Sequence, residues 1–249
     1  MMDNLEEVLT PNISEVTLLD WWESDKDVAD SAWVSTAKQK RTEEDVYRVI
    51  TQSIVPLHHD TPKESVWMKF WIRCPIYVER QLDKYRMTTQ KQDFKVEWEE
   101  GEFGRWNISQ NELSLRYKTM PNTYITMPKD VYDISGPTIA MLYEQIMSSQ
   151  ETSYEKIISK LKQKVDDKTI TYAELKRARE FLRGMLGTGF FTDMQLILNL
   201  NSFEHIMNQR LKPDAQPETQ FVAKLMLKEV VDKKVAPITI EKMIEVNKW

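Results

Sequence analysis

The chain has 249 residues, 41% hydrophobic and 29% charged, with a formal net charge of −5. This balance excludes a disordered or membrane-embedded chain, and the acidic excess leaves no electrostatic footprint for nucleic acid. A single cysteine, Cys74, excludes an internal disulfide framework and a thiolate metal cluster; His58, His59 and His205 lack zinc-motif spacing, so no metal is expected.

The N-terminal Met-Met-Asp-Asn-Leu-Glu-Glu lacks the basic region and apolar run of a signal peptide, and no apolar stretch approaches membrane-spanning length. The expectation is a cytoplasmic protein in a reducing compartment, with no membrane contact. Residues 1–14 read as a loose arm. Residues 16–22 are short, apolar and partly β-branched, which predicts a strand. Residues 28–37 are rich in small side chains and read as helix or loop. Thr42-Glu43-Glu44-Asp45 resembles a helix start, with Val46, Val49, Ile50 and Ile54 on one repeating face. Residues 58–62 follow as a loop.

Residues 66–74 alternate: Val66, Met68, Phe70, Ile72 and Cys74 share one side, and Trp67, Lys69, Trp71 and Arg73 the other. Period two predicts a strand that Pro75 ends or bends. Cys74 closes the aliphatic face and reads as a core thiol; Trp67 and Trp71 read as packing or subunit-contact residues. Residues 76–85 predict a short helix carrying Arg80, Gln81, Lys84 and Tyr85. Residues 88–107 are polar, with an acidic run at 97–102, and read as a surface excursion or hairpin.

Residues 109–117 carry Ser109, Asn111, Glu112, Ser114, Arg116 and Tyr117 in the pattern S-x-N-E-x-S-x-R-Y. A carboxylate, hydroxyls, an amide and a guanidinium this close together suit a polar, anionic small molecule. Residues 139–161 have a helical apolar rhythm. Thr171 and Glu174 form a capping box for a helix running through 185. Gly184, Gly187 and Gly189 loosen the chain before Phe190. Residues 202–210, 218–231 and 237–246 predict helices, with a break at 213–217. With no repeat and no clear linker, the pattern reads as one α/β domain over residues 1–249.

Three ordered segments carry a resemblance. His59-Asp60-Thr61-Pro62-Lys63-Glu64-Ser65 is similar to H-x-T-P-F-E-H, and Cys74-Pro75-Ile76-Tyr77-Val78-Glu79-Arg80-Gln81 to A-P-I-F-V-x-R-Q. The S-x-N-E-x-S-x-R-Y segment follows. Arg183, Asn199, Ser202, Asn208, Arg210, Asp214-Ala215-Gln216 and Glu218 then match a late series of arginine, asparagine and N-L-R positions. Together with weaker N-terminal matches that include residues 32–35, the chain resembles the flavin-dependent thymidylate synthase family, as a divergent member. Where that family has Arg-His-Arg, this chain has Lys84-Tyr85-Arg86, followed by a family-atypical insertion at 88–107. Ser65 replaces a histidine, Asn201 an FAD-contacting arginine and His205 an FAD-contacting asparagine.

The resemblance implies that family's α+β fold, a central mixed or antiparallel sheet flanked by helices. It implies conversion of dUMP to dTMP with methylene-tetrahydrofolate and NADPH on bound FAD. The homotetramer it implies has active sites that combine residues from several subunits. By resemblance, Gln81, Glu112, Ser114, Arg116, Arg183 and Arg210 contact dUMP, and Arg210 is the catalytic cation that stabilises negative charge developing on the uracil ring. Ser35, His59, Thr61, Glu64, Lys84, Tyr85, Arg86, Asn199 and His205 are the implied FAD contacts. Two alternatives stay open: C5 hydroxymethylation of a pyrimidine deoxynucleotide on the same scaffold, and a noncatalytic nucleotide-binding or assembly protein.

Overall fold

The alternating segment around Phe70 forms strand β2, Trp67–Pro75. Val66, Met68, Phe70, Ile72 and Cys74 are fully buried, whereas Trp67, Lys69, Trp71 and Arg73 are half-buried. The computed structural model describes residues 14–34, 41–83, 108–112 and 124–249, giving backbone alone for 83 and 108–112. Strands β1, Glu15–Trp22, β3, Ile108–Glu112, and β4, Phe191–Asn199, join β2 in a four-stranded sheet ordered β1-β2-β4-β3.

Strand β4 was not anticipated. Met194, Leu196 and Leu198 are buried and alternate with half-buried Asp193, Gln195 and Ile197. Its partnership with β2 is antiparallel. The Ile76 N–H donates to the Phe190 carbonyl at 2.9 Å at one end, and the Leu200 N–H donates to the Val66 carbonyl at 2.8 Å at the other.

The helices are α1, Asp25–Trp33; α2, Glu43–Val49; α3, Asp60–Lys63; α4, Ile76–Asp83; α5, Lys129–Asp166; α6, Tyr172–Leu182; α7, Leu200–Arg210; α8, Pro217–Asp232; and α9, Pro237–Asn247. The anticipated helix start at Thr42 forms, with a Thr42/Asp45 capping box, and so does the anticipated capping box at Thr171/Glu174. Three expectations need correction. The 58–62 loop contains the start of α3, the helix from Thr171 ends at Leu182 before a 3₁₀ turn at Arg183–Met185, and α2 passes into a π-helical turn at Ile50–Ile54. Residues 1–13 of the anticipated 1–14 arm and all of the 88–107 insertion lie outside the described residues.

The chain divides into two compact units: 1–14, 73–79 and 112–193 in the first, and 15–72, 80–111 and 194–249 in the second. In the first, Met147 and Phe190 form a small core with Ile76, Tyr124, Tyr143 and Leu186. Gly189 lets the chain pass closely here, since an added Cβ would stand 3.1 Å from Met147 Cε and 3.3 Å from the Tyr143 hydroxyl. Helix α5 breaks at Gly136, whose φ of 77° favours glycine, just ahead of Pro137.

In the second unit, Phe70 stacks on Phe203 of α7 with ring centroids 6.2 Å apart. Buried Asp25 accepts from the backbone N–H groups of Ile238 and Thr239, both at 2.9 Å, and so caps α9 with a carboxylate at the positive end of the helix dipole. Helix α8 supports β1: the Leu18 N–H donates to Glu229 Oε2 at 2.8 Å, and Lys233 Nζ donates to the Leu18 carbonyl. These bonds satisfy backbone groups on an outer strand of the sheet.

Candidate active site

Gln81 lies on α4 and Arg210 is the last residue of α7, 129 positions later. Arg210 Nη2 donates to the Gln81 backbone carbonyl at 3.0 Å and to its side-chain Oε1 at 3.1 Å. Both residues are half-buried. Two acceptors from one residue fix the plane of the guanidinium, a rigid fork of donors. The fold therefore joins two of the residues anticipated to meet dUMP and holds the anticipated catalytic cation in one orientation.

The anticipated flavin contacts in this unit come from α3 and α7, which pack against each other. The π-helical turn ends where the His59 N–H donates to the Ile54 carbonyl at 2.9 Å, and His58 reverses the chain at φ 52°. His59 thereby becomes the N-cap of α3, with its exposed imidazole making no capping bond. Thr61 is exposed and Glu64 half-buried. On the other helix, Asn199 is fully buried and caps α7 through Oδ1, which accepts the Ser202 N–H at 2.8 Å. Its Nδ2 donor is buried with no hydrogen-bond partner. His205 stands exposed on α7; desolvation holds its imidazole below the usual value, assisted by Lys212 and opposed by Asp60 and Glu204.

Beneath these exposed groups lies an ion pair that was not anticipated. Lys63 is 1% exposed and pairs with Glu204, itself 5% exposed. Lys63 also reaches Asp60 Oδ1 at 3.2 Å, and Glu204 Oε1 accepts from Asn247 Nδ2 of α9 at 3.0 Å. The available signal was a lysine where the H-x-T-P-F-E-H pattern has phenylalanine. Trp249 is tied to the same helix: its Nε1 donates to Asn208 Oδ1 at 2.7 Å, and its ring meets Phe203 edge-on at 6.4 Å.

A flavin nucleotide would meet these side chains as hydrogen-bond donors. His59 and Thr61 at α3 and His205 on α7 expose imidazole and hydroxyl groups, and Asn199 retains a buried Nδ2 without a hydrogen-bond partner. Ring carbonyls, ribose hydroxyls and phosphate oxygens are the acceptors such groups meet. Among the described residues, no group of three or more His, Cys, Asp or Glu side chains could hold a metal ion, and no helix is long and apolar enough to cross a membrane.

In the first unit, Arg183 opens the 3₁₀ turn after α6 and is half-buried. Burial pushes the Tyr154 hydroxyl up, while the charges of Arg179 and Arg183 pull it down. Tyr143 donates to the Ile125 carbonyl at 2.6 Å, and burial pushes its hydroxyl up to about 12. Tyr124 donates to Glu144 Oε2 at 3.1 Å. Burial, then Glu155, pushes the Glu151 carboxyl up, and its Oε1 is buried without a hydrogen-bond partner. Ser35, Lys84, Tyr85, Arg86, Ser114 and Arg116 lie outside the described residues; Glu112 ends β3, with only its backbone described.

The family described as "Thymidylate synthase complementing protein" matches residues 17–238. A flavin-dependent thymidylate synthase of Wolbachia pipientis wMel is 26% identical, over 92% of this chain and 73% of its own length. One from Thermotoga neapolitana is also 26% identical, over 92% of this chain and 90% of its own. Among solved structures, the UMP/dUMP methylase PolB of Streptomyces cacaoi, bound with 5-Br dUMP, has a TM-score of 0.64. It is 22% identical, with 94% of this chain and 96% of that chain covered, which makes it a likeness of fold. A match this long, on a chain whose separated motifs the fold brings to α3, α4 and α7, makes this protein a divergent member of the flavin-dependent thymidylate synthase family.

Proposed function

We propose that the protein methylates dUMP to dTMP, with methylene-tetrahydrofolate as carbon donor, NADPH as reductant and FAD as bound cofactor. The observation that carries this reading is the Arg210–Gln81 contact, in which a guanidinium is oriented by an amide side chain and its backbone. A cation fixed before reaction lowers the cost of charge developing on the uracil ring, because no reorganisation is needed as that charge appears. Gln81 also offers a polar edge suited to a base or sugar. Arg183 suits the phosphate of dUMP through charge-assisted hydrogen bonds. His59, Thr61, Glu64, Asn199 and His205 hold FAD in this reading, joined by Ser35, Lys84, Tyr85 and Arg86. Glu112, Ser114 and Arg116 complete the dUMP contacts, with Glu112 orienting an arginine. The bound flavin supplies the redox chemistry that a methyl product requires.

Residues 1–249 form one catalytic domain in this reading, and the working protein is a cytoplasmic homotetramer. An exposed apolar row on α5 supports association: Ile139, Leu142 and Ile146 lie at helical spacing after the break at Gly136, and all three are exposed. The test is release of tritium from uracil C5 when labelled dUMP is mixed with protein, FAD, NADPH and methylene-tetrahydrofolate. Flavin-dependent release supports carbon transfer at C5. Bound dUMP without release would replace this reading with a noncatalytic nucleotide-binding protein.

A further inference from the structure

Helix α3 is a single turn, too short to persist without tertiary support. His59, Asp60 and Thr61 face solvent, so the segment's buried anchors are Pro62 and Lys63. A buried ammonium is costly unless paired, and here its partner is Glu204 on α7. Both Glu204 oxygens are engaged, Oε2 by Lys63 and Oε1 by Asn247. The chain thus links the turn bearing His59, Thr61 and Glu64 to the helix capped by Asn199 and bearing His205, through one charged contact with fixed geometry.

We infer that the Lys63–Glu204 pair is a positioning clamp that sets the register of the 59–65 turn against α7, and that flavin affinity depends on that register. This rests on the assignment of these residues to FAD. An apolar pair could fill the same volume but would lack the directional bonds that fix where α3 begins. Glu204→Gln is a sensitive probe, because a carboxamide offers one acceptor oxygen where two donors, Lys63 Nζ and Asn247 Nδ2, need one each.

The experiment measures FAD and dUMP affinity, melting temperature and amide hydrogen exchange for wild type, Glu204→Gln and the double variant Lys63→Met/Glu204→Met. The clamp predicts that Glu204→Gln weakens FAD by at least about tenfold while dUMP affinity stays within about twofold. Exchange should accelerate in 59–65, where the Glu64 and Ser65 amides donate to Thr61 and Pro62 carbonyls. The double variant should regain most of the lost melting temperature, since well-packed apolar pairs replace buried ion pairs without loss, yet remain weak for FAD. A double variant that regains both melting temperature and FAD affinity overturns the clamp, as does Glu204→Gln with unchanged FAD affinity. If the variants fail to fold, wild-type exchange decides. Glu64 and Ser65 amides protected as strongly as those of α7 support the clamp, and loop-like exchange there overturns it. A wild-type protein that binds no flavin would defeat the FAD assignment, while exchange in 59–65 would still decide the mechanical coupling.

Discussion

Arg210 and Gln81 are joined by two hydrogen bonds from one guanidinium nitrogen, at 3.0 Å to the backbone carbonyl and 3.1 Å to the side-chain oxygen of the same glutamine. The end of α7 is thereby tied to the end of α4, and the cation assigned to catalysis is oriented by a residue assigned to the same substrate. A contact with both roles predicts that its loss affects turnover more than folding.

Arg210→Ala should lower kcat by roughly 100- to 1,000-fold, the usual loss when a preorganised charge-stabilising group is removed. Folding should weaken by only about 1–2 kcal/mol, from two hydrogen bonds in a half-buried setting. Steady-state kinetics and a thermal melt check both. Undiminished kcat would remove Arg210 from the chemistry.

Arg183→Ala should act on binding. Loss of a charge-assisted contact to phosphate costs about 1.5–3 kcal/mol, so the dUMP requirement should rise by roughly 10- to 150-fold with kcat little changed. Titration with dUMP and with the uncharged nucleoside separates the cases. Equal losses for both ligands would contradict a phosphate contact.

Glu151 gives a pH signature. Burial raises its folded-state value above the unfolded one, so the neutral form is favoured on folding and the ionised form opposes it. The contribution is fully favourable below the unfolded carboxylate value of about 4.3 and is lost as pH rises through the raised folded value. Glu151→Gln removes the charge and should stabilise the protein at neutral pH, read as a higher Tm than wild type. The advantage should vanish toward pH 4. A constant difference across that range would contradict the burial argument.

Trp249 tests its own tether to α7. Trp249→Phe keeps a ring against Phe203 but removes the N–H that bonds Asn208. The expected cost is about 1 kcal/mol, with a larger one for deletion of the residue. Denaturant melts of the two variants measure the difference, and equal stability of both would show the ring contact to be unimportant.

The parts legible in the sequence were those governed by local pattern. Strand β2 announced itself because Val66 through Cys74 keep one buried face without interruption, and the Thr171/Glu174 box marked its helix start from side-chain chemistry alone. Strand β4 was missed because Phe191 and Thr192 are both buried, which breaks the alternation where it begins, just after a glycine-rich approach. Helix α3 is too short to show periodicity. Lys63 stood out only as a lysine in a phenylalanine position, and its pairing with Glu204 was unreadable for a different reason. Charged side chains are mostly exposed, and only the meeting of α3 with α7 shows that these two are buried together. Gln81 and Arg210 entered as separate motif positions, and the fold made them partners.

The measurement that bears most directly on the proposed reaction is the mass of the nucleotide product formed from dUMP with FAD, NADPH and methylene-tetrahydrofolate. The expected product carries a methyl group, dTMP, and its formation needs both the reductant and the flavin. A hydroxymethyl product would contradict it, placing water rather than hydride at the last step, and unchanged dUMP would contradict catalysis on this substrate.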